Sequence, residues 1–210
     1  MTQTKSILPI PYQRGSTLDS TTIYKGGLFS FLVKGEDSGG RVAMIEYRAK
    51  PGNEPLPYMN KWAHETYYVL EGVMEFYCGD SEVMVVNAGE MVFLPQGKAH
   101  AFYICSPQVR ALILVQAVGE HPVGLVGVAS QNENRHLMAM GTPATSLDLP
   151  TEAVTDEFVD PGDSIRVGTA NGIHFISSGE NTKELPHYPG FKFKQELVGN
   201  MEQHLSTSGV

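Results

Sequence analysis

Between Ile23 and Val118 the apolar residues come in short runs rich in Val, Ile, Phe and Tyr, each ended by Gly, Pro, Asn, Asp or Ser. The runs are Ile23 to Val33, Arg41 to Arg48, Thr66 to Leu70, Val73 to Cys78, Val83 to Val86, Met91 to Leu94, His100 to Cys105 and Ala111 to Val118. Glu71-Gly72, Gly79-Asp80, Asn87 to Gly89, Pro95 to Gly97 and Ser106-Pro107 separate the later ones. Strand-like runs about ten residues apart with tight turns predict an antiparallel sandwich or barrel. After Gly119 the pattern weakens. Glu133 to Met140 and Pro150 to Val159 predict two short helices, and Pro143, Pro161, Pro186 and Pro189 interrupt anything longer. The organisation read from this is an N-terminal arm (1–22), an all-β barrel (23–120) and an irregular, partly helical C-terminal extension (121–210) packed on the barrel.

Composition sharpens the picture without changing it. The 210 residues include 22 Gly and 13 Pro, against about 15 and 10 for average usage. The surplus supplies the turns. With 41% hydrophobic and 18% charged residues, the chain is too apolar for disorder, and Gly has no three-residue period. A net charge of −8 with only a sparse basic stretch, Phe191 to Lys194, excludes nucleic acid as a partner. No apolar run approaches the ~20 residues of a membrane span, so no membrane partner is expected. The first residues lack a signal-peptide pattern, so a cytoplasmic location is the expectation. Two cysteines, Cys78 and Cys105, are too few for a cysteine metal knuckle and read as buried free thiols.

Chemistry-bearing residues concentrate in two stretches. The first runs Tyr58-Met59-Asn60-Lys61-Trp62-Ala63-His64-Glu65 and on to Gly72; the second runs Gly89 to Leu94 and then Pro95-Gln96-Gly97-Lys98-Ala99-His100. This spacing of Glu65, Gly72, Gly89, Pro95, Gly97 and His100 resembles the two-motif signature of the cupin superfamily, and looks most like its quercetin dioxygenase-like single-domain members. The resemblance implies a β-barrel of the jelly-roll, or double-stranded β-helix, type and a homodimer joined through sheet edges. It also implies a divalent metal, Fe, Mn, Ni, Co or Cu, held by two first-motif His, the first-motif Glu and the second-motif His. Glu65 and His100 occupy ligand positions here, but Tyr58 and Asn60 stand where the first-motif His pair belongs. No firmly held metal, and so no cofactor, is expected. A weak site on Glu65 and His100, completed by a Tyr58 phenolate or an Asn60 carbonyl, is the alternative.

The remaining groups suit acid–base catalysis. Burial in an apolar barrel is expected to raise the Glu65 pKa beside His100, while Tyr58 can donate to an enolate oxygen and Asn60 can fix a carbonyl. The expected function is isomerisation, dehydration or cyclisation of a small apolar, aromatic or polyketide-like metabolite, catalysed by Glu65, His100, Tyr58 and Asn60. The alternatives are a metal-dependent quercetinase-like dioxygenase and a non-catalytic small-molecule-binding cupin. By strand alternation Tyr67 and Val69 share the face of Glu65, and Phe102 that of His100. Met44, Glu46, Phe29 and Phe31 are further candidates for the substrate-binding wall, with ordinary core an equal reading. Trp62 is placed at the entrance, and His64 on the outer face. His121, His136, His174, His187 and His204 read as solvated side chains.

Overall fold

The computed structural model describes residues 10–79, 81–119, 141–151, 166–169, 172–176, 184–185 and 187–192. The helices expected at 133–140 and over most of 150–159, and His121, His136 and His204, lie outside the described residues. Ten strands build the barrel: β1 (Thr21–Tyr24), β2 (Gly27–Val33), β3 (Val42–Ala49), β4 (Tyr58–Asn60), β5 (Ala63–Glu71), β6 (Val73–Cys78), β7 (Met84–Asn87), β8 (Met91–Leu94), β9 (Ala99–Ile104) and β10 (Val109–Ala117). Two further short strands follow, β11 (Thr142–Pro143) and β12 (Ile173–Phe175). They assemble into two antiparallel sheets, one in the order β11-β1-β2-β3-β10-β5-β8 and the other β12-β4-β9-β6-β7. The architecture is an all-β jelly roll, as the resemblance implied. A separate hairpin pairs β13 (Glu184–Leu185) with β14 (Tyr188–Lys192).

Two features depart from the expected strands. The run Ile23 to Val33 is a hairpin, because Lys25 and Gly26 both take positive φ, 49° and 76°. Such a turn matches the twist of the strands that flank it. The short strand β4, which begins at Tyr58, has no strand-like pattern of its own and exists because it pairs with β9 on one side and β12 on the other.

From β3 to β10 every connection except β6–β7 crosses from one sheet to the other. The signature glycines therefore sit at corners between sheets and not in hairpins within one. Gly72 has φ 87° where β5 hands over to β6. A Cβ there would press on the Ser106 hydroxyl and lie 2.5 Å from the Gln108 carbonyl oxygen. Ser106 Oγ accepts the Val73 N–H at 2.9 Å and donates to that same carbonyl at 2.6 Å, so the corner has no spare room. Gly89 has φ 91° at the β7–β8 corner, with open space where a Cβ would stand.

The core fills the space between the sheets with Ile45, Tyr47, Val69, Met74, Phe76, Phe102, Ile104 and Ile113. Parity along β3 assigns its faces: Ala43, Ile45, Tyr47 and Ala49 are fully buried in that core, while Met44, Glu46 and Arg48 point the other way. Of the two cysteines, Cys78 is buried and Cys105 is exposed, which corrects the expectation that both lie inside; both are free thiols. Cys105 follows the last residue of β9 and falls outside the alternation. Among the described residues no helix is long and apolar enough to cross a membrane.

The two corner glycines predict an ordering. Gly72→Ala combines a strained φ with a clash and should lower unfolding stability by roughly 2–3 kcal/mol, whereas Gly89→Ala meets only the strained φ and should cost about 1 kcal/mol. Denaturant unfolding of both variants reads the difference; equal losses would contradict the crowding at the Gly72 corner.

Candidate functional site

The Lys61-Trp62 link carries the chain from β4 in one sheet to β5 in the other, and this crossing brings Asn60 beside Glu65. Asn60 Oδ1 accepts the N–H groups of Trp62 and Ala63, both at 3.1 Å. These two donors fix which way the amide points, since only an oxygen can accept them. Its Nδ2 is thereby aimed at Glu65 Oε1, at 2.9 Å. The other carboxylate oxygen, Oε2, accepts the Tyr58 hydroxyl at 2.6 Å and a longer contact from the Tyr67 hydroxyl at 3.4 Å. Tyr58 and Tyr67 hydroxyls stand 3.3 Å apart.

His100 faces Tyr58 directly across the β4–β9 pair, with the rings edge to face at 4.3 Å between centroids. Its Nδ1 lies 3.1 Å from the Lys98 carbonyl oxygen. A carbonyl only accepts, so Nδ1 carries the proton in the neutral ring and Nε2 keeps its lone pair. Nε2 sits 3.8 Å from Glu65 Oε2, beyond hydrogen-bond distance, and is buried without a hydrogen-bond partner. The cluster is closed to water: Glu65 is 0%, His100 1% and Asn60 2% exposed.

Burial pushes the Glu65 carboxyl up, but the facing His100, through its protonated form, and the Tyr58 and Asn60 donors outweigh it and hold the carboxyl below its ordinary range. This corrects the expectation of a raised value, which considered burial without the donors. Burial, then the Glu65 charge, push the hydroxyls of Tyr58 and Tyr67 well above the ordinary phenol value. Both remain protonated donors around an ionised carboxylate.

The structure thus brings Tyr58, Asn60, Glu65, His100 and Tyr67 together. Val69 and Phe102 lie in the adjoining core, Phe102 packed against Tyr67 at 5.5 Å between centroids, and Phe29 and Phe31 are buried in the same core. Met44 and Glu46 are not in the barrel wall; they occupy the outer face of β3. Glu46 and Arg48 share a parity, and two charged residues two apart mark that face as the outer one. By the same reasoning Tyr47, absent from the candidates, belongs inside, where it packs on Phe29 and Phe102. Trp62 is half-buried against Gly172, whose missing side chain makes room for the indole: a Cβ there would meet Trp62 Cδ2 at 2.6 Å. His64 lies on the outer face of β5, where Nδ1 accepts the Gln96 N–H at 2.9 Å. Two of the histidines expected in solvent are engaged: His174 is half-buried, and His187 stacks on Tyr103 at 3.7 Å with Nε2 3.2 Å from Glu75 Oε2.

The donor set does not fit a divalent transition metal of the kind the fold family implies. Such a site needs several imidazole and carboxylate ligands with free lone pairs. Asn60 turns its nitrogen inward and spends its oxygen on two backbone N–H groups, while the Tyr58 proton occupies Glu65 Oε2. Among the described residues no three His, Cys, Asp or Glu gather in one place.

A family model described as a cupin domain matches residues 45–115, the stretch that holds both Glu65 and His100. Solved structures of similar fold include a mutant of Bacillus subtilis oxalate decarboxylase, at 19% identity and TM-score 0.44 over 51% of this chain and 30% of that one. Others are a putative ethanolamine utilization protein Q from Salmonella typhimurium (24%, TM-score 0.38, 44% and 71% of the two chains) and KdgF from Halomonas sp. (13%, TM-score 0.40, 47% and 86%). The chain spans less than a third of the decarboxylase's length. No curated protein sequence matches it.

Because the Glu65 carboxyl titrates lower in the folded than in the unfolded chain, its stabilising contribution is present above the ordinary carboxylate range and is lost as pH falls through the depressed folded value. Tyr58→Phe removes the shortest donor and lessens that depression. The variant should lose roughly 1–3 kcal/mol near neutral pH, and its acid unfolding, followed by circular dichroism, should begin at higher pH than in the parent. An unchanged acid midpoint would show that the hydroxyl does not support the charge.

Proposed function

We propose that this cupin-fold chain is an enzyme that moves protons on a small, mostly apolar metabolite, aromatic or polyketide-like, without a firmly held metal. The observation that carries the reading is His100 Nε2, a buried imidazole nitrogen with no hydrogen-bond partner, 3.8 Å from the Glu65 carboxylate. A ketone or phenol that entered the barrel would give this nitrogen a proton to take. The C–H or O–H bond electrons then move onto the substrate, and an enolate or phenolate oxygen forms.

Each neighbour has a part in that step. The imidazolium formed by proton transfer faces the Glu65 carboxylate 3.8 Å away, which stabilises its charge in a medium of low dielectric. Tyr58 is held firmly on that carboxylate, and Asn60 orients it. Tyr67 makes only long contacts, 3.3 Å and 3.4 Å, so its hydroxyl is the donor most readily turned toward a substrate oxygen. Return of the proton from His100 to a different carbon completes an isomerisation; its delivery to a departing hydroxyl completes a dehydration. Phe29, Phe31, Tyr47 and Phe102 supply the apolar surround that favours a flat ligand.

A second reading has its own support. Both Glu65 oxygens are occupied and the whole cluster is closed, as expected of a barrel that binds a ligand without altering it.

The two readings part on one measurement. Enolisable aryl ketones and β-diketones incubated with the protein in D2O should gain deuterium next to the carbonyl, and His100→Gln should slow this by about 100-fold or more while ligands still bind. Saturable binding with no exchange would favour the binding module. Elemental analysis tests the metal: one equivalent of Fe, Mn, Ni, Co or Cu, removed by a chelator together with activity, would overturn the metal-free reading.

A further inference from the structure

On the far side of the sheet from the barrel interior lies a second concavity, a groove of about 400 Å³ floored by β3 and β10, within the size range of small-molecule sites. Its outer wall is the segment Leu147-Asp148-Leu149. That wall is fastened to the barrel at both ends. Thr142 and Pro143 pair with β1, the Ala144 N–H reaches the Thr21 carbonyl at 3.0 Å, and Lys50 Nζ donates to the Pro150 carbonyl at 2.9 Å.

The charges in the groove are unevenly used. Glu46, almost fully buried on the floor, accepts Ser16 Oγ at 3.0 Å and Arg110 Nη2 at 2.8 Å. Arg110 also reaches Glu71 at 3.3 Å, so its guanidinium serves two carboxylates. Arg48 stands directly opposite Arg110 across the β3–β10 pair and donates no hydrogen bond to any described residue. Among the described residues its charge partner is Glu46, at 3.7 Å from Nε, and Nε itself is buried. A guanidinium with unmade donors in a part-buried groove is a ready fork for a carboxylate. Across the groove, Asp148 is exposed and accepts only the Ser146 hydroxyl among the described residues. Leu147 and Leu149 lie half-buried beside it.

We propose that this groove is a second ligand site, independent of the proton-transfer cluster, that takes a free α-amino acid with a branched aliphatic side chain. The ligand carboxylate pairs with Arg48, its ammonium group with Asp148, and its side chain lies against Leu147 and Leu149. A lone anion would meet the Asp148, Glu46 and Glu71 charges, and a lone cation would leave Arg48 unserved; a zwitterion answers both.

Isothermal titration with L-leucine, with 4-methylpentanoate, which keeps only the carboxylate, and with 3-methylbutylamine, which keeps only the amine, tests the assignment. Leucine should bind saturably, and each half-ligand about tenfold more weakly or worse. Arg48→Gln and Asp148→Asn should each weaken leucine by about tenfold, and Leu149→Trp, which fills the groove without changing its charges, should abolish binding. Absence of saturable leucine binding, a half-ligand that matches leucine, or leucine binding that survives Leu149→Trp or Arg48→Gln would overturn the proposal. If Arg48→Gln fails to fold, by near-UV circular dichroism, Leu149→Trp decides alone.

Discussion

An ionised carboxylate taken wholly out of water is the constraint around which this barrel is arranged. Glu65 has no solvent contact and, among the described residues, no arginine or lysine against it, so its charge must be met by whatever the surrounding strands deliver. They deliver a tyrosine hydroxyl from β4, an amide from the end of β4 and an imidazole from β9. Each requires the chain to change sheets at a particular point. The Asn60 amide reaches Glu65 because the next two residues cross the barrel, and the same crossing supplies the backbone N–H groups that hold the amide in place. The corner geometry and the charge are therefore one design. Loosening the corner would strand the carboxylate, and neutralising the carboxylate would leave Asn60 and Tyr58 donating to a weaker acceptor.

The contrast with Glu46 shows two ways of keeping a carboxylate buried in one sheet. Glu46, on the outer face, is served by the guanidinium of Arg110 and the hydroxyl of Ser16, and its carboxyl is held below the ordinary range by them despite burial, which pushes it up. Glu65 accepts hydrogen bonds from the neutral donors Tyr58 and Asn60, with the His100 imidazole standing off at 3.8 Å. Full counter-charge makes a structural site; a charge met by dipoles and a nearby imidazole leaves the imidazole able to exchange a proton. This difference in environment separates the candidate chemistry inside the barrel from the polar layer outside it.

Most of the strand pattern was legible from the sequence because alternation and turn residues are local. β6 and β8 follow their apolar runs to the residue, and Gly72, Gly89 and Gly97, which punctuate the runs, all take positive φ. The faces of β3 were legible too, in the shared parity of Glu46 and Arg48, though the apolar Met44 on that parity disguised it. The hairpin hidden in Ile23 to Val33 was written only in Lys25-Gly26, a weak turn signal inside a strong apolar run. Strand β4 had no local signature, since its existence depends on neighbours far away in the chain.

By itself, then, the sequence determined that the chain folds as a turn-punctuated all-β barrel, and that Glu65 and His100 lie in its two motif stretches with Tyr58 and Asn60 close before Glu65. Those are consequences of residue type and spacing. Tertiary structure alone decided what the substitutes do. Tyr58 and Asn60, set by the resemblance where metal ligands would stand, both turn hydrogen-bond donors toward Glu65, because Trp62 and Ala63 claim the amide oxygen and the carboxylate claims the phenol proton. It likewise decided that Glu65 stays charged: the burial that spacing could suggest raises a carboxyl pKa, whereas the donors that lower it arrive from strands whose pairing no local pattern specifies.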